Sequence, residues 1–149
     1  RRGRRGRAIG PAYDAPSVTW VLGRVHRHVD RGTVRALAVR DGSHAIIGWF
    51  IYDARRGGRG EVLQIAAEPR QHHTVFDHLM DDAWQQGVTM VSGRFEPEFG
   101  PQLSEHGCLA YRRGYWTLAH TKRTEVAEAL QRGDAFFTRL EGEWCLRFS

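Results

Sequence analysis

The sequence predicts an α/β domain in which a mixed central sheet carries helices on both faces. Two observations predict it. From Glu61 to Gly87, EVLQIAAEPRQHHTVFDHLMDDAWQQG, an apolar strand pattern gives way after Pro69 to a helical one, and VTMVSGRF then returns to strand. Upstream, the β-rich runs TVRALAVRDG and HAIIGWFIYDA meet at Asp41-Gly42, a strong hairpin signal. A hairpin makes an antiparallel pair, and a strand–helix–strand crossover makes a parallel one.

Residues 1–16 hold five arginines, three glycines and two prolines, and read as a flexible tail or linker before a folded domain over 17–149. Pro16-Ser17 opens a helix over SVTWVLGRVHRHVDRG, with Trp20, Val21, Val25 and Val29 on one face and Gly32 at its end. The hairpin follows, then the arginine–glycine loop ARRGGRG. EVLQIAA is apolar enough to be a central strand. In the next helix Val75, Leu79, Met80 and Ala83 share a stripe, with Phe76 and Trp84 at its edges. Pro97 to Gly107 is a short helix with Phe99, Leu103 and His106 three or four apart. CLAYRRGYWTLAH is β-rich, residues 122–131 are helical, and AFFTRL and EWCLRF close the chain as a hairpin about Glu141-Gly142.

The 149 residues suffice for one domain with a core. The formal net charge of +5 resides in residues 1–7, RRGRRGR, and the rest is balanced at 17 acids against as many bases. The body therefore lacks the basic excess of a nucleic-acid binder. No aromatic side chain stands among the tail arginines to stack on bases. No apolar run approaches the ~20 residues that cross a bilayer. Cys108 and Cys145 do not make a disulfide framework, and reduced thiols in a cytoplasmic protein are expected. The chain opens on Arg1 rather than Met, so a fragment with an N-terminal partner domain is one expectation.

The element order, with VRALAVRDGSHAIIGWFIYD as hairpin, EVLQIAA as central strand and RQHHTVFDHLMDDAWQQG as loop and helix, resembles the GNAT family of acyl-CoA-dependent N-acetyltransferases. The resemblance covers roughly Val34 to Phe148, and its most suggestive piece is RDG followed by IIGWFIYD. The closing segment GDAFFTRLEGEWCLRF is similar to the end of one half of a tandem member. An acyl-CoA N-acyltransferase-like fold is implied, with acetyl-CoA or another acyl-CoA as cofactor. The diphosphate would sit on Arg70, Gln71, His72, His73, Thr74 and Val75. Backbone near Ala66 or Ala67 would meet the acyl carbonyl. The loop departs from the family pattern. His73 and Val75 stand where glycine and glycine or alanine are expected, and their side chains would crowd a close-packed diphosphate. The helix dipole still favours an anion there.

Acyl transfer to an amine needs a base, an oxyanion donor and an acid for the departing thiolate. Glu61, at the start of the central strand, is the candidate base, and Glu68 at its other end ranks below it. Each carboxylate has an ordinary alternative beside a nearby arginine, Arg59 or Arg70. Tyr111 and Tyr115 are the candidate acids implied by the resemblance, or amphipathic rings at a sheet edge. Cys108 beside His106 lacks a triad spacing. His72, His73 and His78 lack the three- or four-residue spacing of a ligand pair on one helix, so no metal is expected.

Two functions follow. One is an acyl-CoA-dependent N-acyltransferase acting on a small-molecule or peptide amine. The other is a non-catalytic acetyltransferase-like domain, kept for protein interaction or as the partner half of a tandem protein. The second predicts an apolar surface for a homodimer or partner domain, with Phe136, Phe137, Trp144 and Leu146 as contributors.

Overall fold

A computed structural model of the chain describes residues 7–26, 32–110 and 119–140. A mixed sheet is flanked by helices. Its strands, in spatial order, are β1 (Thr33–Arg40), β2 (Ile46–Ala54), β3 (Arg59–Ala67) and β4 (Met90–Ser92). The β1–β2 and β2–β3 pairs are antiparallel, and β3–β4 is parallel. Helix α1 (Ala15–His26) precedes the sheet, and α2 (His72–Gln85) makes the crossover from β3 to β4. A 3-10 turn at Pro97–Phe99 leads into α3 (Gly100–Glu105), and α4 (Thr124–Gln131) comes last.

Each face of the sheet has its own core. On one, Phe50, Tyr52, Ala54 and Ile65 pack against Val75, Phe76, Leu79 and Ala83 of α2 and against Phe99. On the other, Ile51 and Leu63 meet Val25 of α1 and Leu140, with Val21, Leu22 and Val34 alongside. Burial of each large apolar side chain contributes about 1.5–3 kcal/mol, so the α2 face is the stronger joint.

Two contacts seat α2. At its first turn Val75 is fully buried against Gly48 of β2. A β-carbon on Gly48 would lie 2.5 Å from Val75 Cγ2 and 2.6 Å from the Ala66 carbonyl oxygen. Near its last turn Asp82 reaches the hairpin. Arg35 Nε donates to Asp82 Oδ2 at 3.0 Å, and the Tyr52 hydroxyl donates to the same oxygen at 2.6 Å. Burial alone would raise the Asp82 carboxyl, but the hydrogen bonds from Arg35 and Tyr52 outweigh it and hold its pKa below the ordinary value. Burial, then Asp82, push the Tyr52 phenol the other way, above its usual value. Gly87, at φ 73°, ends the helix: its N–H reaches the Trp84 carbonyl, and the Val88 N–H reaches that of Ala83.

Several expectations need correction. Trp20 is exposed and lies under the Arg24 guanidinium, while Val21 and Val25 form the packed face of α1. Of the two residues expected at the edges of the α2 stripe, Phe76 is buried beside Phe99 and Trp84 is 82% exposed. The strand expected over VTMVSGRF shortens to Met90–Ser92. Among the described residues AFFTRL contributes a single bridge, Ala135 to Ile9, and no strand, and Thr138 turns into the interior. The arginine-rich segment is pinned from Arg7 onward. Arg7 bonds the Gly133 carbonyl and pairs with Glu98, and the Ala8 N–H bonds Asp134 Oδ1 at 2.9 Å. The other half of the closing hairpin, with Trp144 and Leu146, falls outside the described residues, as does Val29.

Replacing Gly48 with Ala is expected to destabilise the domain by about 1–3 kcal/mol through overpacking against Val75, read as a lower urea midpoint. Asp82→Asn is expected to cost about 1–3 kcal/mol at neutral pH. A carboxyl held below its unfolded pKa stabilises the fold above that value and loses the effect as pH falls through the folded one. The gap between parent and variant should therefore be constant above about pH 5 and narrow below about pH 4 in urea titrations across that range.

Candidate functional site

The candidate site is the junction where β3 ends and α2 begins, together with the opening beside β3. Pro69 and Arg70 form the junction. The Gln71 N–H bonds the Glu68 carbonyl at 3.0 Å, and Arg70 has φ 71°. Proline followed by a positive φ within such a hydrogen bond describes a type II turn, where glycine or asparagine is the usual third residue. An arginine there is strained by about 1–2 kcal/mol. The Glu68 N–H bonds the Ile47 carbonyl at 2.8 Å, which ties the turn to β2 beside Gly48.

The structure narrows the expected anion cradle. The Gln71 amide is spent on Glu68, and the Val75 amide on the Gln71 carbonyl at 3.0 Å. The first-turn amides of His72, His73 and Thr74 have no helical partner. The Val75 side chain faces the core, so it does not obstruct the outside of the turn. The imidazoles are engaged elsewhere. His72 stands edge-on to Phe99, with ring centroids 5.0 Å apart. His73 Nδ1 lies 2.7 Å from Asp77, whose other oxygen is 3.7 Å from His106, and Glu105 stands 3.7 Å from His73 Nε2. Arg70, His73 and Thr74 are exposed.

The opening lies between the parallel strands. Pairing of β3 with β4 covers only Arg59–Met90, Gly60–Val91 and Glu61–Ser92. The ladder ends at Glu61–Ser92, with Gly93 still against Val62, and the far edge of β3, with Ala66 and Ala67 at its end, has no strand neighbour among the described residues. A bulge sits in this stretch. Ile51 faces Gln64 and Tyr52 faces Val62, which leaves Leu63 as the extra residue.

The last described segment fills the opening. Thr138 and Gln64 are each 2% exposed. Gln64 Nε2 donates to Thr138 Oγ1 at 3.3 Å and to the Tyr13 hydroxyl at 3.1 Å, while its Oε1 accepts from Trp49 Nε1 at 2.8 Å. Arg94 donates to the Phe137 carbonyl. The space left among Val62, Leu63, Gln64, Ile65, Arg94, Glu96 and Thr138 is about 10 Å³, no more than one water requires. Glu61 is ion-paired with Arg139, with both side chains mostly buried at 16% and 22% exposure.

No family model matches the chain, nor does any curated protein or solved structure.

Tyr111 and Tyr115 fall outside the described residues. Glu61 and the Ala66–Ala67 end lie on one strand, with the helix start just beyond. Cys108 is a free, exposed thiol. Among the described residues no cluster of histidine, cysteine and acid could hold a metal, and no helix is long and apolar enough to cross a membrane. Sequence reasoning missed Gln64 and Arg139. The first left a signal, a lone amide in an apolar strand. The second left none, since its partner is distant in sequence.

Arg70→Gly should relieve the strained turn and raise stability by up to about 1 kcal/mol, with an unchanged fold by circular dichroism and a higher urea midpoint.

Proposed function

We propose that this is an acetyltransferase-like α/β domain that does not itself transfer acyl groups and serves in protein interaction, including as the partner half of a tandem protein. The observation that carries the reading is the occupation of the opening by Phe137, Thr138 and Arg139. A cofactor arm entering beside β3 would have to displace a buried threonine from Gln64. Separating Arg139 from Glu61 would leave a mostly buried charge uncompensated, which costs several kcal/mol. In that pair the carboxylate faces a guanidinium rather than an incoming amine. Exposed Trp84, Met90, Phe95 and Leu109 supply apolar surface for a partner.

The acyl-CoA-dependent N-acyltransferase reading is favoured by one arrangement: the three first-turn amides of α2 beside the open end of β3. They suit a phosphate, and a backbone edge suits an amide-bearing cofactor arm. In that reading Glu61 acts only after Arg139 moves, and the acid comes from Tyr111 or Tyr115.

Calorimetry with acetyl-CoA and longer acyl-CoAs separates the two. The expected result is no saturable heat at ligand up to about 1 mM, where a binding free energy of ~4 kcal/mol would register. Saturable binding, with CoA released on adding an amine, would establish the enzyme instead.

A further inference from the structure

We propose that Asp41-Gly42, in the connection between β1 and β2, is a self-modification site that passes through a succinimide to isoaspartate when the turn opens. Hydrogen bonds on the Asp41 carboxylate restrain the reaction while the turn is closed. The inference goes beyond the interaction reading and does not rest on it.

The chemistry needs only water. The Gly42 amide nitrogen attacks Asp41 Cγ, an N–Cγ bond forms, and a carboxyl oxygen leaves as water with the amide and carboxyl protons. Water then opens the cyclic imide. Attack at the former backbone carbonyl breaks its bond to nitrogen and routes the chain through Cβ and Cγ. One water is lost and one regained, so the mass is unchanged.

The nucleophile is bare. A β-carbon built on Gly42 would meet nothing within 4 Å. Its N–H makes no hydrogen bond among the described residues. Residues 41–45 are all exposed, so no core packing holds the turn. It can therefore open locally, without the rest of the domain.

The restraint lies on the carboxyl side. Asp41 Oδ1 accepts from the Ser43 N–H at 2.8 Å, the Ser43 hydroxyl at 2.7 Å and the Ala45 N–H at 3.0 Å. The bonds from the Ser43 hydroxyl and amide, with that from Ala45, hold the carboxyl below its ordinary pKa. The ionised form is the unreactive one, because the departing oxygen must first take a proton. The backbone is fixed as well. The Asp41 N–H bonds the Ala45 carbonyl at 2.9 Å, and the His44 N–H bonds the Asp41 carbonyl at 2.9 Å. Arg40 Nη1 closes the loop on the His44 carbonyl at 2.7 Å. These bonds must break before the Gly42 nitrogen can swing onto Cγ.

The product would not fit the turn. Isoaspartate lengthens the backbone by one carbon next to the Arg40–Ile46 pair, where the register already slips at Val39/Arg40. It also removes Oδ1 from the amides that it caps. Isoaspartate at this site thus records the time that the turn has spent open.

The test ages the full chain, its Ser43→Ala and Gly42→Ala variants, and a synthetic peptide of residues 38–49 in warm near-neutral buffer. Chymotrypsin, cutting after Leu37 and Trp49, releases the same segment from each chain. Reversed-phase retention separates isoaspartate from aspartate at equal mass, and electron-transfer fragmentation locates it. Circular dichroism checks the fold of each variant. Isoaspartate is expected at Asp41 in the free peptide, and about tenfold more slowly in the folded chain. Ser43→Ala should quicken it by about threefold over the parent. Gly42→Ala, whose methyl group hinders attack, should nearly abolish it. A folded chain that ages as fast as the peptide would overturn the proposal. So would a Ser43→Ala chain no faster than the parent, or an undiminished product in Gly42→Ala.

Discussion

The placement of α2 rests on the absence of a side chain at Gly48. Without a β-carbon there, Val75 descends into the sheet and brings the first helical turn down onto β2. The same approach places the Glu68 amide against the Ile47 carbonyl, so the end of β3 and the start of α2 are fixed by one patch of β2. At the other end Asp82 grips Arg35 and Tyr52. A helix held at two points has little freedom to slide or roll. Its line over β2 and β3 sets which side chains of the sheet it covers, Val39 of β1 among the buried ones.

How much of this was legible in the sequence varies by element. Asp41-Gly42 between two β-rich runs located the hairpin, although the connection runs over 41–45 and its left-handed residue is His44 rather than Gly42. The period change at Pro69 located β3 and α2, and Gly87 marked the helix end through a left-handed residue that few others supply. The outer helices were less well read. Trp20 was placed on the packed face of its helix, but Val21 and Val25 take that face and Trp20 is exposed; Phe76 and Trp84 were both placed at the edges of their stripe, and only Phe76 is buried. The closing segment misled most. AFFTRL has strand composition, but strand formation needs a neighbour with a free edge, and composition says nothing of neighbours. At the site, Glu61 and the helix start could be placed from order. The pairing of Glu61 with Arg139 could not, since it joins side chains far apart in the chain.

The buried polar groups beside β3 explain why the bulge and the last segment belong together. The bulge turns Gln64 toward the face it shares with Trp49, and three side chains from separate parts of the chain then satisfy its amide. Had any been lost, an unpaired amide would remain in a low-dielectric interior, at a cost of about 1–3 kcal/mol. Such a network favours one arrangement of Tyr13, Trp49 and Thr138 over others of similar hydrophobic content. It acts as a key for how the segments on that face assemble.

The meeting of Ile9 with Ala135 has a consequence for the order of events in folding. Two backbone hydrogen bonds, Ile9 N–H to Asp134 at 3.2 Å and Phe136 N–H to Ile9 at 2.8 Å, close almost the whole chain into a loop. Closing so long a loop costs conformational entropy that only a handful of local contacts repay. The hairpin and the β3–α2–β4 crossover close far shorter loops and have no such handicap. The clasp is therefore the last part to form and the first to open. Its amides should exchange with solvent while those of β2 and β3 stay protected.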